Sequence, residues 1–366
     1  MTWGLGEGMF LYFQPLYLQQ LGANSVMIGS ILGGIGIAMT ISYLPAGYLS
    51  DRIGRRPMLW IAWLIGTVST WIMALSSSLP TFVLGSALYG MTSFVIVPLN
   101  SYLTHARGRW SVGRTITLIS ATYNIGMIVG PLLGGWIGDQ FGLQRTYVIA
   151  GCIFFLSTLI IFFIHSQPVE KPTEFEIGSR PPSPFSRRYT QYLLVIFFVM
   201  FALYLPQPLS QYFLLNERGL NLTQIGQLIS IRAVGIIVLN LTLGHLNARI
   251  GFLFAQSFMA LFSLILWRGT GMVWYSIGYF LLGSYQTARA LSIAQGRTLI
   301  QAINMGIGYG LIETASAAAI ILAPPLAGLL YVYYPSSIYI VSLVMISIAL
   351  LLTIFWSPIK TKDLIH

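Results

Sequence analysis

The chain has 366 residues, of which 56% are hydrophobic and only 8% charged, and its formal net charge is +10. A soluble domain carries about 25% charged residues, so there are too few charges here to cover a water-facing surface, and lipid must be the main solvent. Cys152 is the only cysteine, which excludes an intramolecular disulfide and a cysteine metal cluster. The histidines His105, His165, His245 and His366 are scattered near segment ends, so neither a metal nor a cofactor is expected. The positive charge is spread over many short loops; it reads as loop lysine and arginine in a membrane protein, not as a nucleic-acid surface.

Crossing a bilayer as a helix takes roughly 20 apolar residues. Twelve such stretches follow in chain order: 2–21, 25–49, 57–77, 79–103, 112–138, 145–165, 191–215, 223–247, 252–270, 272–294, 301–332 and 336–357. They are long, continuous and without alternation, so helices are expected, not strands. The first lacks a basic leading region and a small-residue cleavage site, so it reads as a span, not a signal peptide. It is slightly short, and a start codon further upstream is the expectation.

The loops between these stretches give an orientation. Arg52, Arg55 and Arg56 lie after the second stretch, and Arg107, Arg109 and Arg114 after the fourth. Lys171, Arg180, Arg187 and Arg188 lie after the sixth, and Arg249, Arg289, Arg297, Lys360 and Lys362 fall on the same face. The opposite face holds Arg145, Arg218 and Arg268. Positive charge stays in the cytoplasm, so both termini are expected there, in a multi-pass protein of the cell membrane. Residues 166–190 hold five prolines and mixed charge and read as a cytoplasmic linker between two halves, 1–165 and 191–366.

The halves echo each other. Gly47, Leu49, Arg52, Ile53 and Gly54 recur as Gly244, Leu246, Arg249, Ile250 and Gly251, an offset of 197. Ile28-Gly29 recurs as Ile225-Gly226 at the same offset. Gln14-Pro15-Leu16 recurs as Gln207-Pro208-Leu209, and Pro131 with Gly135 as Pro324 with Gly328, at an offset of 193. The change of offset fits an insertion around residues 216–220. Six helices plus six, in parallel repeats, is the expected organisation, one that secondary transporters use.

The segment Gly47-x-Leu49-Ser50-Asp51-Arg52-x-Gly54-Arg55-Arg56 resembles the loop motif between the second and third helices of the major facilitator superfamily. Helix count, linker and the weaker second copy extend the resemblance over essentially the whole chain. It implies an all-α membrane fold of about twelve helices in two pseudo-symmetric halves. It also implies that Asp51 helps latch the halves in one access state, facing the positive N-terminus of a neighbouring helix. A second segment resembles the Gly-x-x-x-Gly-Pro-x-x-Gly-Gly pattern of the family's drug–proton antiporters: Gly126, Gly130, Pro131, Gly134 and Gly135. Glycines at this spacing bare a helix face for close packing, and the proline removes one backbone hydrogen bond. One feature departs from that branch: where its antiporters often carry an arginine in the fourth span, this chain has Ser86, and Tyr279 at the equivalent place in the second half.

Ionisable residues inside the membrane are costly and are functional candidates. Glu7 lies about 22 Å along the helix from the outer end of the first span. Arg232 falls in the eighth span, Arg289 in the tenth and Glu313 in the eleventh. Either carboxylate could carry a coupling proton. Equally, Glu7 could reach the inner water, and Arg289 with Glu313 could be a static pair. Arg232 could meet substrate or a carboxylate. Gln14, Tyr89, Asn124, Gln207, Gln211, Tyr285 and Gln286 are candidates for a broad aromatic pocket with a few hydrogen-bonding groups, while Trp3 and Trp356 are expected in interfacial belts.

No His-Glu-x-x-His, Gly-x-Ser-x-Gly or Gly-x-x-x-x-Gly-Lys occurs, which argues against an enzyme and against a self-contained ATP-driven pump. The expected activity is proton-coupled efflux of small lipophilic or amphipathic compounds by a monomer. A sugar or metabolite transporter and a non-transporting membrane sensor are the alternatives.

Overall fold

The computed structural model describes residues 1–106, 112–165, 187–300 and 305–356. Residues 166–186 of the expected linker, Arg107, Arg109, Lys360, Lys362 and the side chain of Asp51 lie outside what is described, whereas the last four residues of that linker, 187–190, are already helical. In hydrocarbon every backbone N–H and C=O must be satisfied within its own segment, and the long apolar runs accordingly form helices. No strand occurs among the described residues.

The helices are α1 (Thr2–Phe10), α2 (Gln14–Gln20), α3 (Ser25–Ile53), α4 (Arg55–Leu75), α5 (Leu79–Met91), α6 (Ile96–Ala106), α7 (Val112–Phe141) and α8 (Leu143–Ile161). Then come α9 (Arg187–Tyr204), α10 (Ser210–Arg218), α11 (Leu222–Gly244), α12 (Ala248–Arg268), α13 (Met272–Leu282), α14 (Ser284–Gly296), α15 (Met305–Tyr333) and α16 (Ser337–Trp356). Among the described residues, eight are long and apolar enough to cross a membrane unaided. The rest pair up as broken spans: α1 with α2, α5 with α6, α9 with α10, and α13 with α14.

These are spans one, four, seven and ten, the first of each consecutive three. Short 3-10 segments, Leu11–Phe13 and Thr92–Val95, interrupt the first two. Pro206 and Pro208 interrupt the third, because proline cannot donate to the helix ladder. Gly283 interrupts the fourth; a Cβ there would come within 2.5 Å of the Ile236 nitrogen on α11. Breaks recurring every three spans fit three-helix repeats nested inside each half, and broken helices are where transporters place binding groups.

The helix ends correct the register of the larger repeat. Gly54 and Asn247 cap the starts of α4 and α12, both 21 residues long, and stand 193 residues apart. The caps that end these helices, Ser76 and Gly269, keep that offset. The 197-residue match instead places Gly54 on Gly251. Gly54 is a left-handed turn residue with φ 89°, whereas Gly251 is buried inside α12. The slip has a local cause. After the insertion before it, α11 begins at the 197 offset, but it runs for 23 residues where α3 runs for 29. The side chain of Asn247 then accepts from the Arg249 N–H at 3.0 Å and starts the next helix early.

The chain packs into two compact units. Unit 1 is Met1–Glu176 with Gln211–Ser230, and unit 2 is Ile177–Ser210 with Ile231–His366. In unit 1, α1 packs on α7 and α8, and α4 on α8 and α5. In unit 2 the corresponding helices repeat the pattern: α9 on α15, α12 on α16 and α13. The core of unit 1 is aromatic, with Phe10, Tyr17, Phe82, Tyr147 and Phe154 buried together. Large apolar side chains such as Phe163, Val273 and Phe355 face outward, as a lipid solvent permits.

Candidate functional site

In unit 1, α1 and α7 bring Glu7 into an aromatic box. Its Oε2 accepts from Trp3 Nε1 at 3.1 Å and from the Tyr123 hydroxyl at 2.9 Å. Trp3 and Glu7 are four residues apart and so share one face of α1. Trp3 stands 4.7 Å from the Trp63 ring and 4.6 Å from Phe154, centroid to centroid, and stacks on Tyr89 at 6.3 Å. The Tyr89 hydroxyl is buried beside Glu7 without completing a regular hydrogen bond. Trp3 is therefore a wall of this box and not a belt residue; Gly66 makes room for it, since a Cβ there would fall 2.5 Å from the indole. The donors to Glu7 are all uncharged. Such a carboxylate can gain or lose a proton without breaking an ion pair.

The glycine pattern on α7 has two working faces. Gly126, Gly130 and Gly134 press on α1: added Cβ atoms would lie 2.5 Å from Leu5 N, 2.6 Å from Leu5 O and 2.1 Å from Met9 O. The other face meets the start of α11, still within unit 1. A Cβ on Gly135 would sit 2.3 Å from Leu222 O, and one on Gly226 would sit 2.2 Å from Pro131 O. Ser230 Oγ donates to Ile128 O at 2.6 Å on the same face. Small residues on both sides let backbones touch.

One turn beyond this contact, Asp139 closes it. Its carboxylate accepts from the Leu222 N–H at 2.9 Å and the Thr223 N–H at 2.7 Å, and from the Thr223 hydroxyl. These are orphan donors of the first turn of α11, and the helix dipole favours an anion there. Sequence reasoning passed over Asp139, although a signal was available. Asp139-x-x-Gly142 repeats Asp51-x-x-Gly54, and both glycines are left-handed, with φ 85° and 89°, each starting the next helix. Counting spans puts the two copies at opposite ends of the bundle.

Unit 2 gathers the other membrane charges. Arg289 on α14 and Glu313 on α15 form an ion pair, with the Arg289 Nε 3.2 Å from Glu313 Oε2. Arg232, midway along α11, donates to Gln207 Oε1 at 3.3 Å, and Gln207 donates to Leu203 O at 2.8 Å. Tyr285, one turn before Arg289 on α14, is 2% exposed, and its hydroxyl has no hydrogen-bond partner. Its ring packs 5.6 Å from that of Tyr204.

The remaining expected residues fall elsewhere. Gln14 and Gln211 are buried. Asn124 turns back onto its own helix, donating to Ser120 O at 2.8 Å. Ser86 and Tyr279, which stand where an arginine was expected, contact Met73 Sδ at 3.3 Å and Ser210 Oγ at 3.2 Å. In the basic turn, Arg52 is exposed and Arg56 lies over the Trp60 ring at 4.3 Å. A cavity of about 710 Å³ opens at the α11–α12 turn, lined by Asn247, Arg249, Gln295, Arg297, Thr298 and Tyr309, apart from both charged clusters.

Comparison with known proteins agrees with this architecture. The Major Facilitator Superfamily model matches residues 2–305. An uncharacterized MFS-type transporter of Methanocaldococcus jannaschii is 26% identical over 159 residues, 43% of this chain and 41% of that protein. The multidrug resistance protein MdtG of Salmonella arizonae is 27% identical over 176 residues, 46% of this chain and 44% of that protein. In each match the chain spans less than half the relative's length. The crystal structure of the nucleoside transporter NupG superposes with a TM-score of 0.79 at 14% identity, over 97% of this chain and 95% of that one; this likeness speaks to fold alone. With most of its length matched by one family and its helical fold shared nearly end to end, the chain belongs to the Major Facilitator Superfamily.

Proposed function

We propose that this membrane transporter works by alternating access and exports small lipophilic or amphipathic compounds in exchange for protons. The halves that move are 1–165 and 191–366, joined by a cytoplasmic linker at 166–190. The protein acts as a monomer in the cell membrane with both termini inside. The observation that carries the coupling is Glu7, a carboxylate held by the neutral donors Trp3 and Tyr123 on a helix packed against the glycine face of α7. Coupling needs a group whose protonation follows access, and a carboxylate held by neutral donors alone can change protonation without breaking an ion pair. Glu313 is the second candidate, but it is clamped by Arg289. The multidrug resistance protein MdtG among the relatives supports drug export.

The test is flux driven by an imposed pH gradient in proteoliposomes, with lipophilic dyes, sugars and nucleosides as cargo. Wild type should drive dye movement and Glu7→Gln should not. If both Glu7→Gln and Glu313→Gln keep gradient-driven flux, neither is the coupling group. Gradient-independent equilibration of a sugar or nucleoside would make the protein a facilitator, and no flux of any compound would favour a sensor.

A further inference from the structure

The cavity of about 710 Å³ at the α11–α12 turn is large enough for a small ligand. Three parts of unit 2 build it. The turn before α12 supplies Leu246, and the first turn of α12 supplies Arg249. One face of α14 supplies Ala290 and Ala294, whose short side chains leave the space open, and the turn that follows supplies Arg297. Tyr309 on α15 adds the third wall. No acidic residue lines the cavity. Within 187–210 and 231–356, Glu313 is the only acidic residue in the sequence, and it pairs with Arg289. The walls are tied together: Gln295 Nε2 donates to Ala248 O at 3.0 Å, and the Arg249 guanidinium donates to Ile354 O near the end of α16. That acceptor is a neutral carbonyl, so it orients the guanidinium without neutralising it.

We propose that this cavity binds a phosphate ester, with Arg249 and Arg297 on the phosphate and Leu246 and Ile293 beside its apolar portion. Two guanidiniums gathered in one cavity repel each other, and an anion between them turns that repulsion into attraction. Arginine suits phosphate in particular, because its planar fork offers parallel N–H groups to two oxygens of one group. The place in the fold favours a membrane phospholipid over a soluble ester. α11 ends at Gly244, α12 begins at Ala248 and α14 ends at Gly296, so the cavity lies where spans meet water, at headgroup level. Basic pockets between helix ends are where phospholipid headgroups bind. Leu246 is exposed at the cavity rim, as an acyl-glycerol neighbour permits. A phosphate held there bridges the start of α12 and the end of α14. The inference needs the membrane-spanning fold alone and stands whatever the cargo or the coupling ion.

The experiment is equilibrium binding to the purified full-length protein in detergent, read by native mass spectrometry and by the shift of thermal unfolding. The probes are dioctanoyl phosphatidylglycerol, dioctanoylglycerol, which has the same chains and no phosphate, glycerol phosphate and inorganic phosphate. Wild type should bind the phospholipid more tightly than dioctanoylglycerol by at least about tenfold, the worth of a charge-assisted hydrogen bond. Arg249→Gln and Arg297→Gln should each remove most of that preference. Arg249→Gln also loses the bond to Ile354, so if it does not fold, Arg297→Gln, at an exposed position, decides. Arg268→Gln removes the same charge from the other end of α12 and should leave the preference intact. Glycerol phosphate or inorganic phosphate binding as tightly as the phospholipid, with the same dependence on Arg249 and Arg297, would uphold the phosphate site and assign it to a soluble ester. Equal binding of phospholipid and dioctanoylglycerol, no binding of any phosphate probe, or a preference untouched by Arg297→Gln overturns the site. So does an equal loss in Arg268→Gln, which would make the attraction one of overall charge.

Discussion

The carboxylate of Asp139, two residues before the end of α7, accepts the backbone N–H of Thr223 at 2.7 Å, so the last turn of one helix holds the first turn of another. Replacing a capping carboxylate by alanine costs about 0.5–2 kcal/mol. Asp139→Ala should therefore lower the unfolding temperature in detergent and slow transport, because the Gly135–Leu222 contact loses its closure. Asp139→Asn keeps an acceptor oxygen and should lose less of both. Transport at wild-type rate in Asp139→Ala would show that the cap is only structural.

The backbone contacts of Gly130 and Gly134 leave no room for a side chain. A Cβ at either position would lie within 2.6 Å of α1 backbone atoms, which cannot swing aside. Overpacking typically costs about 1–3 kcal/mol and more where the backbone must move. Gly134→Ala should be strongly destabilised, whereas Gly34→Ala, with nothing within 4 Å, should be neutral or slightly stabilised by its better helix propensity. Thermal unfolding of the two variants side by side checks this, and equal midpoints would refute the close-packing account.

The helices and the bare face of α7 were legible because hydropathy and glycine spacing are local signals. The Arg289–Glu313 pair was legible as a possibility, because charges inside a membrane stand out and seek each other. Register was less legible: the Gly47 and Gly244 turns match in letters, but an insertion before α11 and an early start of α12 at Asn247 shift the caps by about one helical turn. The partners of Glu7 were hidden for a different reason. Tyr123 is 116 residues away and reaches Glu7 only because Gly4 and Gly126 let α1 and α7 close. Trp3 was misplaced because an aromatic near a chain end looks like a belt residue until its neighbours are known.

The Arg289–Glu313 pair should behave as a unit. Removing one partner leaves a charge in a poorly solvated place, so Glu313→Gln should destabilise more than Arg289→Gln/Glu313→Gln together. Both side chains are about one-third exposed or more, so the coupling should be modest, about 1 kcal/mol. A double-mutant cycle on unfolding measures it. Strict additivity would mean that the pair contributes nothing.

Asp51 sits in the last turn of α3 in a segment that resembles the family's latch. Its expected role is in switching between access states, not in holding substrate. Asp51→Asn should lower the transport rate several-fold while leaving the dissociation constant of a bound dye near wild type. A matched fall in both rate and affinity would relocate Asp51 to substrate binding.

Glu7 offers the sharpest separation between a structural and a coupling role. Glutamine at this position is close in shape and keeps an oxygen to accept from Trp3 or Tyr123, so Glu7→Gln should fold with an unfolding midpoint near wild type. It cannot release a proton, so flux driven by a pH gradient should vanish while substrate exchange without a gradient persists. Tyr123→Phe removes one of the two donors seen at 2.9 and 3.1 Å and leaves the ring in place. It should weaken gradient-driven flux without abolishing it, since Trp3 still holds the carboxylate. The ordering of the two variants is the informative result. If Tyr123→Phe loses as much as Glu7→Gln, the tyrosine itself carries the proton. If Glu7→Gln retains gradient-driven flux but unfolds at a much lower temperature, Glu7 is a structural member of the aromatic box, and the coupling group must be sought at Glu313.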